Sequence, residues 1–282
     1  MPMNAEPQPV APVPHRWRPT PLMQLSLLAH VAMLALVLVH WPLWPWALGL
    51  LLADHVLLFT VGLIPRSGAL GVNWTRLPQA AAGGGGIAIT IDDGPDPEVT
   101  PGVLRILAAH GAQATFFCIG ERAERYPALV RACVQAGHAV ENHSYHHRHA
   151  FALMGWWRLR RELEQAQRRL GELAGVTPRF FRAPAGLRNP LLDPLLQQLG
   201  LQLASWTRRG FDTVSADADT VLARLSRDLH AGDILVLHDG HAARSALGEP
   251  VVLQVLPRLL ELIAERHLRT VTLRDALPQA RA

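Results

Sequence analysis

Two long apolar runs near the N-terminus constrain the fold of this chain more than any other feature. They cover residues 22–40 and 47–64, and each is close to the roughly 20 residues that a helix needs to cross a bilayer. Residues 41–46 (WPLWPW) separate the runs, with prolines that interrupt a helix and tryptophans of the kind enriched at membrane interfaces. We therefore predict a transmembrane helical hairpin over residues 22–65, preceded by a disordered tail over residues 1–21.

A cleaved signal peptide is the alternative explanation of the first run. Its apolar core would be shorter, and a small-residue cleavage site would follow it instead of a second apolar run. The hairpin also makes a geometric prediction, since ionisable groups at bilayer depth are costly and tend to pair. Folding the chain about its turn sets His30 opposite Asp54 and His55, so we expect these side chains to approach each other.

Arginines on both sides of the hairpin bear on its orientation. Arg16 and Arg18 precede the first run, Arg66 and Arg76 follow the second, and the turn carries no charge. The positive-inside rule therefore favours both ends on the cytoplasmic side, by a small difference in charge. The sequence predicts a two-pass protein of the cell inner membrane, with the remainder of the chain on its cytoplasmic face.

Composition excludes several classes for that remainder. The chain of 282 residues is 18% charged, with 22 Gly, 22 Pro and 2 Cys, which excludes collagen, coiled coil, a disordered chain and a disulfide scaffold. Its formal net charge is +4 without a run of five basic residues, so nucleic acid is not expected as a partner. Residues 66–86 end in four glycines and are predicted as a linker, which leaves a second domain over residues 87–277.

Short β-branched runs alternate with helical patterns from Ile87 onward. This alternation is typical of a parallel sheet with helical crossovers, and we predict an α/β fold whose sheet rolls into a barrel. Functional side chains in such barrels lie at the carboxyl ends of the strands. The residues that end or follow predicted strands, and that should converge on one rim, are Asp92, Asp93, His143, His147, Arg182, Trp206, Asp212, His238 and Asp239.

Asp93, His143 and His147 have the residue types of a metal site. Adjacent Asp92 and Asp93 point to different sides of a strand end, so one can bind a cation while the other faces its water. The two histidines are four residues apart, which brings both imidazoles to one side of a helical or tightly turned backbone. Together they complete an Asp/His/His set with open positions for water and substrate. Taken singly, the DDGP segment is also typical of a plain turn and the His-rich segment of a solvated loop.

Four segments in this order, TIDDGPDP, HSYHH, FRAPAG and LVLHDG, resemble the motifs of the polysaccharide deacetylase family, the NodB-homology or carbohydrate esterase 4 group. The resemblance covers about residues 87–276, roughly two-thirds of the chain. It implies a distorted (β/α) barrel of the NodB type and metal-dependent removal of N-acetyl groups from amino sugars. The enzyme class that it implies is a hydrolase of carbon–nitrogen bonds other than peptide bonds, in linear amides.

The resemblance also implies roles for individual positions. Asp93, His143 and His147 would hold a divalent metal, which is commonly zinc in this family. Asp92 would be the general base toward a metal-activated water, and Arg182 would hold the Asp92 carboxylate and stabilise its charge. A salt bridge without a catalytic role is the alternative for Arg182.

Later segments would supply the general acid and the substrate contacts. The resemblance implies that His238 protonates the departing amine, and a buried strand-end histidine is the alternative. The backbone N–H of Ala185 would stabilise the oxyanion. A small side chain stands here where the family usually has an aromatic one, which should widen the pocket. Trp206, Arg209 and Asp212 are expected to complete the substrate site.

Residues 209–213 (RGFDT) depart from the family pattern Asp-x-x-Asp-Trp. An arginine stands where the family's first aspartate orients the acid histidine and raises its pKa. Either Asp212 takes over that role, or the pocket is tuned to a negatively charged ligand. Arg208 and Arg209 would suit a phosphate, and a solvated or ion-paired loop is the alternative.

The leading hypothesis is therefore a membrane-tethered, metal-dependent deacetylase. Its partners would be the membrane and an amino-sugar glycan, either a polysaccharide or a lipid-linked sugar. One alternative is a deformylase of a polyprenyl-phosphate-linked amino sugar that uses the same residues. Another is a catalytically silent sugar-binding membrane module, which the presence of all the catalytic residue types argues against.

Overall fold

A pair of apolar helices forms the N-terminal part of the described chain. The structure, a computed structural model, describes residues 17–277, so residues 1–16 of the predicted tail lie outside the described residues. Helix α1 (Pro21–Val39) and helix α2 (Trp44–Gly62) are joined by a 3₁₀ turn at Trp41–Leu43. Pro45 lies in the first turn of α2, where its missing N–H removes no helical hydrogen bond. By length and composition, both helices could cross a membrane.

Polar side chains meet between the two helices. His30 Nδ1 lies 3.8 Å from Asp54 Oδ2, and the ring centroids of His30 and His55 are 5.1 Å apart. Ser26 Oγ donates to Asp54 Oδ2 at 2.7 Å. The predicted approach of His30 to Asp54 and His55 is therefore confirmed, and these contacts set the register of the helix pair.

A curled sheet with parallel strands forms the centre of the second unit. Its strands are β1 (Gly86–Asp92), β2 (Ala114–Cys118), β3 (Ala139–Asn142), β4 (Phe180–Phe181), β5 (Gln202–Leu203), β6 (Arg208–Arg209), β7 (Ile234–His238) and β8 (Arg269–Thr270). They follow the order β5-β4-β3-β2-β1-β7-β6, with β8 beside β1. Strands β5 and β6 lie at the two ends of this path and do not pair with each other within residues 17–277. The sheet therefore forms an open half-barrel instead of the predicted barrel. The sequence did not predict β6, since two arginines show no β pattern.

Most helices of this unit pack against the face of the sheet that includes Ile87, Ile89 and Ile91, whereas Ala81 packs against residues of the other face. The helices are α3 (Gln79–Ala82), α4 (Thr100–Ala109), α5 (Gly120–Arg125), α6 (Pro127–Gln135), α7 (Trp156–Ala174), α8 (Leu192–Gln198), α9 (Ala218–Ser226) and α10 (Val251–Glu265). Helix α7 buries a stripe of Leu159, Leu163, Ala166 and Leu170, because residues three and four apart share one face of a helix. The helices leave the carboxyl ends of the strands accessible, and polar residues lie there.

The segment between α2 and β1 is packed against the sheet unit. Trp74 pairs with Ala204 in an isolated parallel β-bridge, and Leu77 is buried. Residues 66–86, predicted as a linker, thus contain helix α3 and side chains that cover the sheet. Gly85 adopts a φ of 74°, in the left-handed region that favours glycine. The glycine run, predicted as a flexible link, therefore makes a turn into β1.

Candidate active site

Polar residues from several strand ends meet in one pocket of about 470 Å³. Parallel strands present their carboxyl ends at the same edge of a sheet, and the structure brings most of the predicted residues together there. Those that line the pocket are Asp92, Asp93, His143, His147, Ala185, Trp206, Arg209 and His238. Arg182 and Asp212 lie behind it, with 1% and 0% of their surface exposed, and each contacts a lining residue. Asp239 is buried, accepts a hydrogen bond from Thr100 and is not part of the lining.

Asp93, His143 and His147 form a cluster with the donor atoms of a metal site. The Nε2 atoms of His143 and His147 lie 3.1 Å and 3.2 Å from Asp93 Oδ1, and one ligand atom from each residue lies within 4.8 Å of the others. His143 Nδ1 donates to the carbonyl oxygen of Arg182 at 2.8 Å, which leaves Nε2 to face Asp93. An outer hydrogen bond of this kind fixes a metal-binding histidine in its ligating tautomer. Two imidazoles and one carboxylate fit a divalent metal.

The charge states of this cluster also suit a cation. Burial opposes ionisation of Asp93, but hydrogen bonds with His143 and His241 outweigh it and hold the pKa of Asp93 well below its usual range. Burial lowers the pKa of His147 to about 4, so this imidazole is neutral at pH 7 and keeps a lone pair. An ionised carboxylate and a neutral imidazole are the forms in which these residues bind metals.

Four residues other than glycine that line the pocket have left-handed backbone conformations. Asp93, His147, Ala185 and His241 adopt φ values of 72°, 51°, 53° and 60°, in a region that residues other than glycine populate infrequently. Such conformations cost about 1–3 kcal/mol each and cluster at functional sites. Their concentration around one pocket supports a functional role independently of side-chain chemistry.

Asp92, at the end of β1, is held by a fully buried arginine. Arg182 Nη1 donates to Asp92 Oδ1 and to Thr90 Oγ1, both at 2.6 Å. Its Nε and Nη2 atoms donate to the carbonyl oxygens of Ala204 at 3.1 Å and Ser205 at 2.7 Å. The guanidinium is thus fixed from several sides, and it anchors one oxygen of a carboxylate that lines the pocket.

His238, at the end of β7, is held by Asp212. Its Nδ1 lies 2.8 Å from Asp212 Oδ1, and its backbone N–H donates to Asp212 Oδ2 at 2.7 Å. Burial alone would lower the pKa of His238, but the Asp212 carboxylate outweighs burial and raises the pKa to about 9. His238 is therefore protonated at neutral pH. Asp212 thus stands beside the histidine, which is the first of the two arrangements considered for residues 209–213.

The two neighbouring arginines have different surroundings. Arg208 Nε donates to Asp233 Oδ2 at 2.8 Å, and Arg208 is not part of the pocket lining. Arg209 lines the pocket, with its guanidinium 5.3 Å from the ring centroid of Trp206 and 5.1 Å from that of Phe211. Of the pair predicted to suit a phosphate, only Arg209 reaches the pocket.

Sequence reasoning did not single out His241 and Arg122, which also line the pocket. His241 Nδ1 lies 3.2 Å from Asp93 Oδ2, and Arg122 Nη2 lies 3.2 Å from His241 Nε2. The available signal for His241 was its position three residues after His238, in the segment HDGH that follows a strand. Arg122 carried no signal, because it lies in a short helix with other charged residues.

Comparison with known proteins relates this pocket to a family. The profile described as Polysaccharide deacetylase matches residues 80–204. A chitooligosaccharide deacetylase of Azorhizobium caulinodans is 36% identical over 155 residues, which cover 55% of this chain and 73% of that protein. A peptidoglycan-N-acetylglucosamine deacetylase of Bacillus cereus is 32% identical over 193 residues, which cover 68% of this chain and 87% of that protein. The chain belongs to the polysaccharide deacetylase family.

The fold agrees with membership of the polysaccharide deacetylase family. A crystal structure of a peptidoglycan N-acetylglucosamine deacetylase is similar to this one with a TM-score of 0.65 at 26% identity, covering 72% of this chain and 92% of that chain. The enzyme class predicted from the sequence, a deacetylase that hydrolyses amide bonds, is confirmed by these relatives. The matched range includes Asp92 and Arg182, whereas His238 and helices α1 and α2 lie outside it.

Proposed function

We propose that this polysaccharide deacetylase removes an N-acetyl group from an amino sugar of a glycan by metal-dependent hydrolysis. The supporting observation is a single pocket in which a metal-ligand cluster lies with Asp92, held by Arg182, and with His238, held by Asp212. Asp92 and His238 are Cα partners in the β1–β7 ladder, and neighbouring strands lie about 5 Å apart. A base and an acid are therefore close enough to act on one bond.

Asp93, His143 and His147 would hold the metal. Zinc is well suited to two imidazole nitrogens and one carboxylate. When bound, the metal supplies Lewis acidity toward the acyl carbonyl and lowers the pKa of a water molecule.

Asp92 would act as the general base. It accepts a proton from water while the water oxygen bonds to the acyl carbon, and Arg182 keeps the carboxylate in position for that transfer. The backbone N–H of Ala185 would donate to the carbonyl oxygen as negative charge develops on it. Ala185 lines the pocket, and its small side chain leaves room for the substrate next to this backbone N–H.

His238 would act as the general acid. It donates its proton to the sugar nitrogen as the carbon–nitrogen bond breaks, so that the products are acetate and the free amine. Its pKa of about 9, the result of Asp212 outweighing burial, keeps that proton available at neutral pH. Without it, nitrogen would have to leave as an anion, which is a poor leaving group.

We further propose that α1 and α2 anchor residues 87–277, the catalytic domain, in the cell inner membrane as a two-pass hairpin. Arg18 and Arg66 flank the open end of the helix pair, and the positive-inside rule then favours the cytoplasmic face for the catalytic domain. Substrates within reach are an amino-sugar glycan or a lipid-linked sugar at this surface.

Acetate release by the full-length protein tests the proposed function. The protein in detergent receives N-acetylglucosamine oligosaccharides and zinc, and formate release from the N-formyl analogues is followed in parallel. Asp92→Asn should lower kcat about 100- to 10,000-fold, as expected for loss of a general base, while zinc content stays at the wild-type level. His147→Ala should lose both zinc and activity, because it removes a ligand.

Asp219→Asn is the matched control, since 79% of the Asp219 side chain is exposed and the residue is not part of the pocket lining. It should keep zinc and activity. Wild-type rates in Asp92→Asn would overturn the assignment of the base. Faster release of formate than of acetate would favour a deformylase, and a wild-type protein that neither binds zinc nor releases acid would favour a silent sugar-binding module.

A further inference from the structure

The pocket contains an arginine whose charge has no ion-pair partner among residues 17–277. Arg182 is paired with Asp92, and Arg208 with Asp233, whereas no described carboxylate lies within ion-pair distance of Arg209. Arg209 Nε is buried and has no hydrogen-bond partner in this part of the chain. A half-buried cation without a counter-charge is unfavourable. The pocket is therefore suited to an anionic group that arrives with the substrate.

Aromatic rings hold the Arg209 guanidinium at the pocket. Its centre lies 5.3 Å from the centroid of Trp206 and 5.1 Å from that of Phe211, distances at which cation–π attraction operates. Trp206 lines the same pocket, and Phe211 is about half exposed. Stacking restrains the guanidinium at the pocket, so little side-chain freedom is lost when it binds an anion.

The segment that follows α2 is attached to the pocket wall on which Arg209 stacks. Ser205 Oγ donates to the carbonyl oxygen of Pro65 at 2.6 Å, and Arg66 Nη1 donates to the carbonyl oxygen of Thr207 at 3.1 Å. These contacts flank Trp206 on both sides in sequence. The hairpin is thus joined to the strand-end segment that contains the stacked tryptophan.

Close packing places this wall near the end of α2. A Cβ atom on Gly186 would lie 2.6 Å from Pro65 Cβ and 2.7 Å from Trp206 Cη2, so Gly186 packs closely against both residues. Arg188 N–H donates to the carbonyl oxygen of Gly62 at 3.1 Å. Pro65 is three residues beyond Gly62, a span of at most about 10 Å. The 19 residues of α2 are about 28 Å long, so a spanning α2 would end at the head groups, next to this wall.

We propose that Arg209 binds a phosphate group attached to the amino-sugar substrate, and that the docked hairpin holds this part of the pocket at the membrane surface. The proposal rests on the proposed function and specifies its substrate class. The planar N–H fork of arginine matches phosphate oxygens. An amino sugar linked through phosphate to a lipid presents that group at the level of the head groups, and a soluble sugar phosphate presents the same chemistry.

Calorimetry on the full-length protein in detergent tests the role of Arg209. The probes are N-acetylglucosamine 1-phosphate and the neutral methyl glycoside of N-acetylglucosamine. The measured quantity is the association constant of the phosphate divided by that of the methyl glycoside. This ratio should fall about 10- to 100-fold in Arg209→Gln, which is the range for loss of a hydrogen bond to a charged group. Arg227→Gln is the control, because Arg227 is exposed and is not part of the pocket lining, and its ratio should equal that of the wild type.

An Arg209→Gln ratio equal to the wild-type ratio would overturn the phosphate assignment. So would tighter binding of an analogue that carries a carboxylate in place of the phosphate. Because calorimetry measures binding, this result does not depend on turnover. If no acetate is released from any sugar, the proposed function fails, and the binding ratio still decides whether Arg209 recognises phosphate.

Two further arms separate the sources of the phosphate. The protein in phosphatidylcholine vesicles receives either the soluble sugar 1-phosphate or N-acetylglucosamine linked through phosphate to a polyprenol in the same vesicles. Higher acetate release from the lipid-linked sugar is the expected result. Higher release from the soluble sugar would overturn the proposed role of the hairpin, while leaving that of Arg209 intact.

Discussion

At the residue scale, the pocket pairs each of two titratable groups with a buried partner of opposite charge. Asp92 is held by Arg182, and His238 by Asp212. A carboxylate and an imidazole that are each held in position in one pocket are typical of a general base and a general acid that act on one substrate. The sequence offered Asp212 as one of two explanations for residues 209–213, and its hydrogen bonds with His238 show that it is the partner of that histidine.

The Asp212–His238 pair predicts how activity depends on pH. The pKa of His238 is about 9, above its ordinary value of 6.5, because Asp212 outweighs burial. If His238 is the acid, kcat/KM should fall as the pH rises through about 9, where the proton is lost. Asp212→Asn removes the largest contribution that opposes burial, so the pKa of His238 should fall and the alkaline limb should move to lower pH. The pH profiles of acetate release measure this shift, and an unmoved limb would contradict the assignment of His238.

The Asp92–Arg182 pair predicts a large effect on stability. Arg182→Met leaves a carboxylate without its counter-charge at a position that is almost fully buried, and loss of one partner of a buried pair costs about 3–5 kcal/mol. Urea unfolding of the full-length protein in detergent measures the change. Arg169→Met is the control, because the ion pairs of Arg169 with Glu124 and Glu172 lie at the surface, where such pairs contribute little to stability. Equal losses in the two variants would show that the buried pair has no special role.

At the element scale, helix α2 ends against the sheet unit. The carbonyl oxygen of Gly62 accepts from the backbone of Arg188, two residues beyond the turn that contains Gly186. The apolar runs by themselves predicted the helices but not this docking, because the partner segment lies far away in sequence and has no periodicity that marks it.

Two glycines of α2 provide a matched test of this docking. A Cβ atom on Gly62 would lie 2.1 Å from the Arg188 carbonyl oxygen, whereas one on Gly49 would meet nothing within 4 Å. Both changes to alanine gain similar helix propensity. Gly62→Ala should therefore be about 1–3 kcal/mol less stable than Gly49→Ala, and its KM should rise as the pocket wall shifts. Denaturation midpoints and substrate titrations of both variants measure the difference, and matching values would argue against docking.

At the scale of the whole molecule, both open ends of the hairpin contact the catalytic domain or the segment that leads into it. Trp17 Nε1 donates to Asp193 Oδ2 at 2.8 Å, and Thr20 Oγ1 donates to the Ala69 carbonyl oxygen at 2.6 Å. The start of α1 and the end of α2 thus lie on the same side as the sheet. This arrangement allows the catalytic domain to lie at one membrane surface, with its pocket beside the helices.

Reporter fusions measure this arrangement in cells. If α1 and α2 cross the membrane as proposed, both termini lie on one side, so a cytoplasm-active fluorescent reporter should be active when fused to either Met1 or Ala282. A periplasm-active phosphatase at the same positions should be inactive. Reporters on opposite sides of the membrane would contradict the two-pass hairpin. Phosphatase activity at both ends would show that both termini face the periplasm, which is the opposite of the proposed orientation.

The sequence by itself determined the features encoded by local patterns. Two apolar runs predicted α1 and α2, and the alternation of strands and helices predicted a parallel α/β sheet. The four ordered motifs contain part of the pocket lining, including Asp92, Asp93, His143, His147, Ala185 and His238. Short-range periodicity and strand-end chemistry suffice for these features, because each depends on residues that are neighbours along the chain.

Only the tertiary structure decided which partners act together. It placed Asp212 beside His238 and joined Pro65 to Ser205 across 140 residues of sequence. It showed that Arg208 pairs with Asp233, whereas Arg209 has no ion-pair partner among residues 17–277. It also left the sheet an open half-barrel, since two-residue strands carry too little pattern to reveal their pairing. Long-range contacts depend on how whole elements pack, and that packing is a property of the complete fold and not of any single segment.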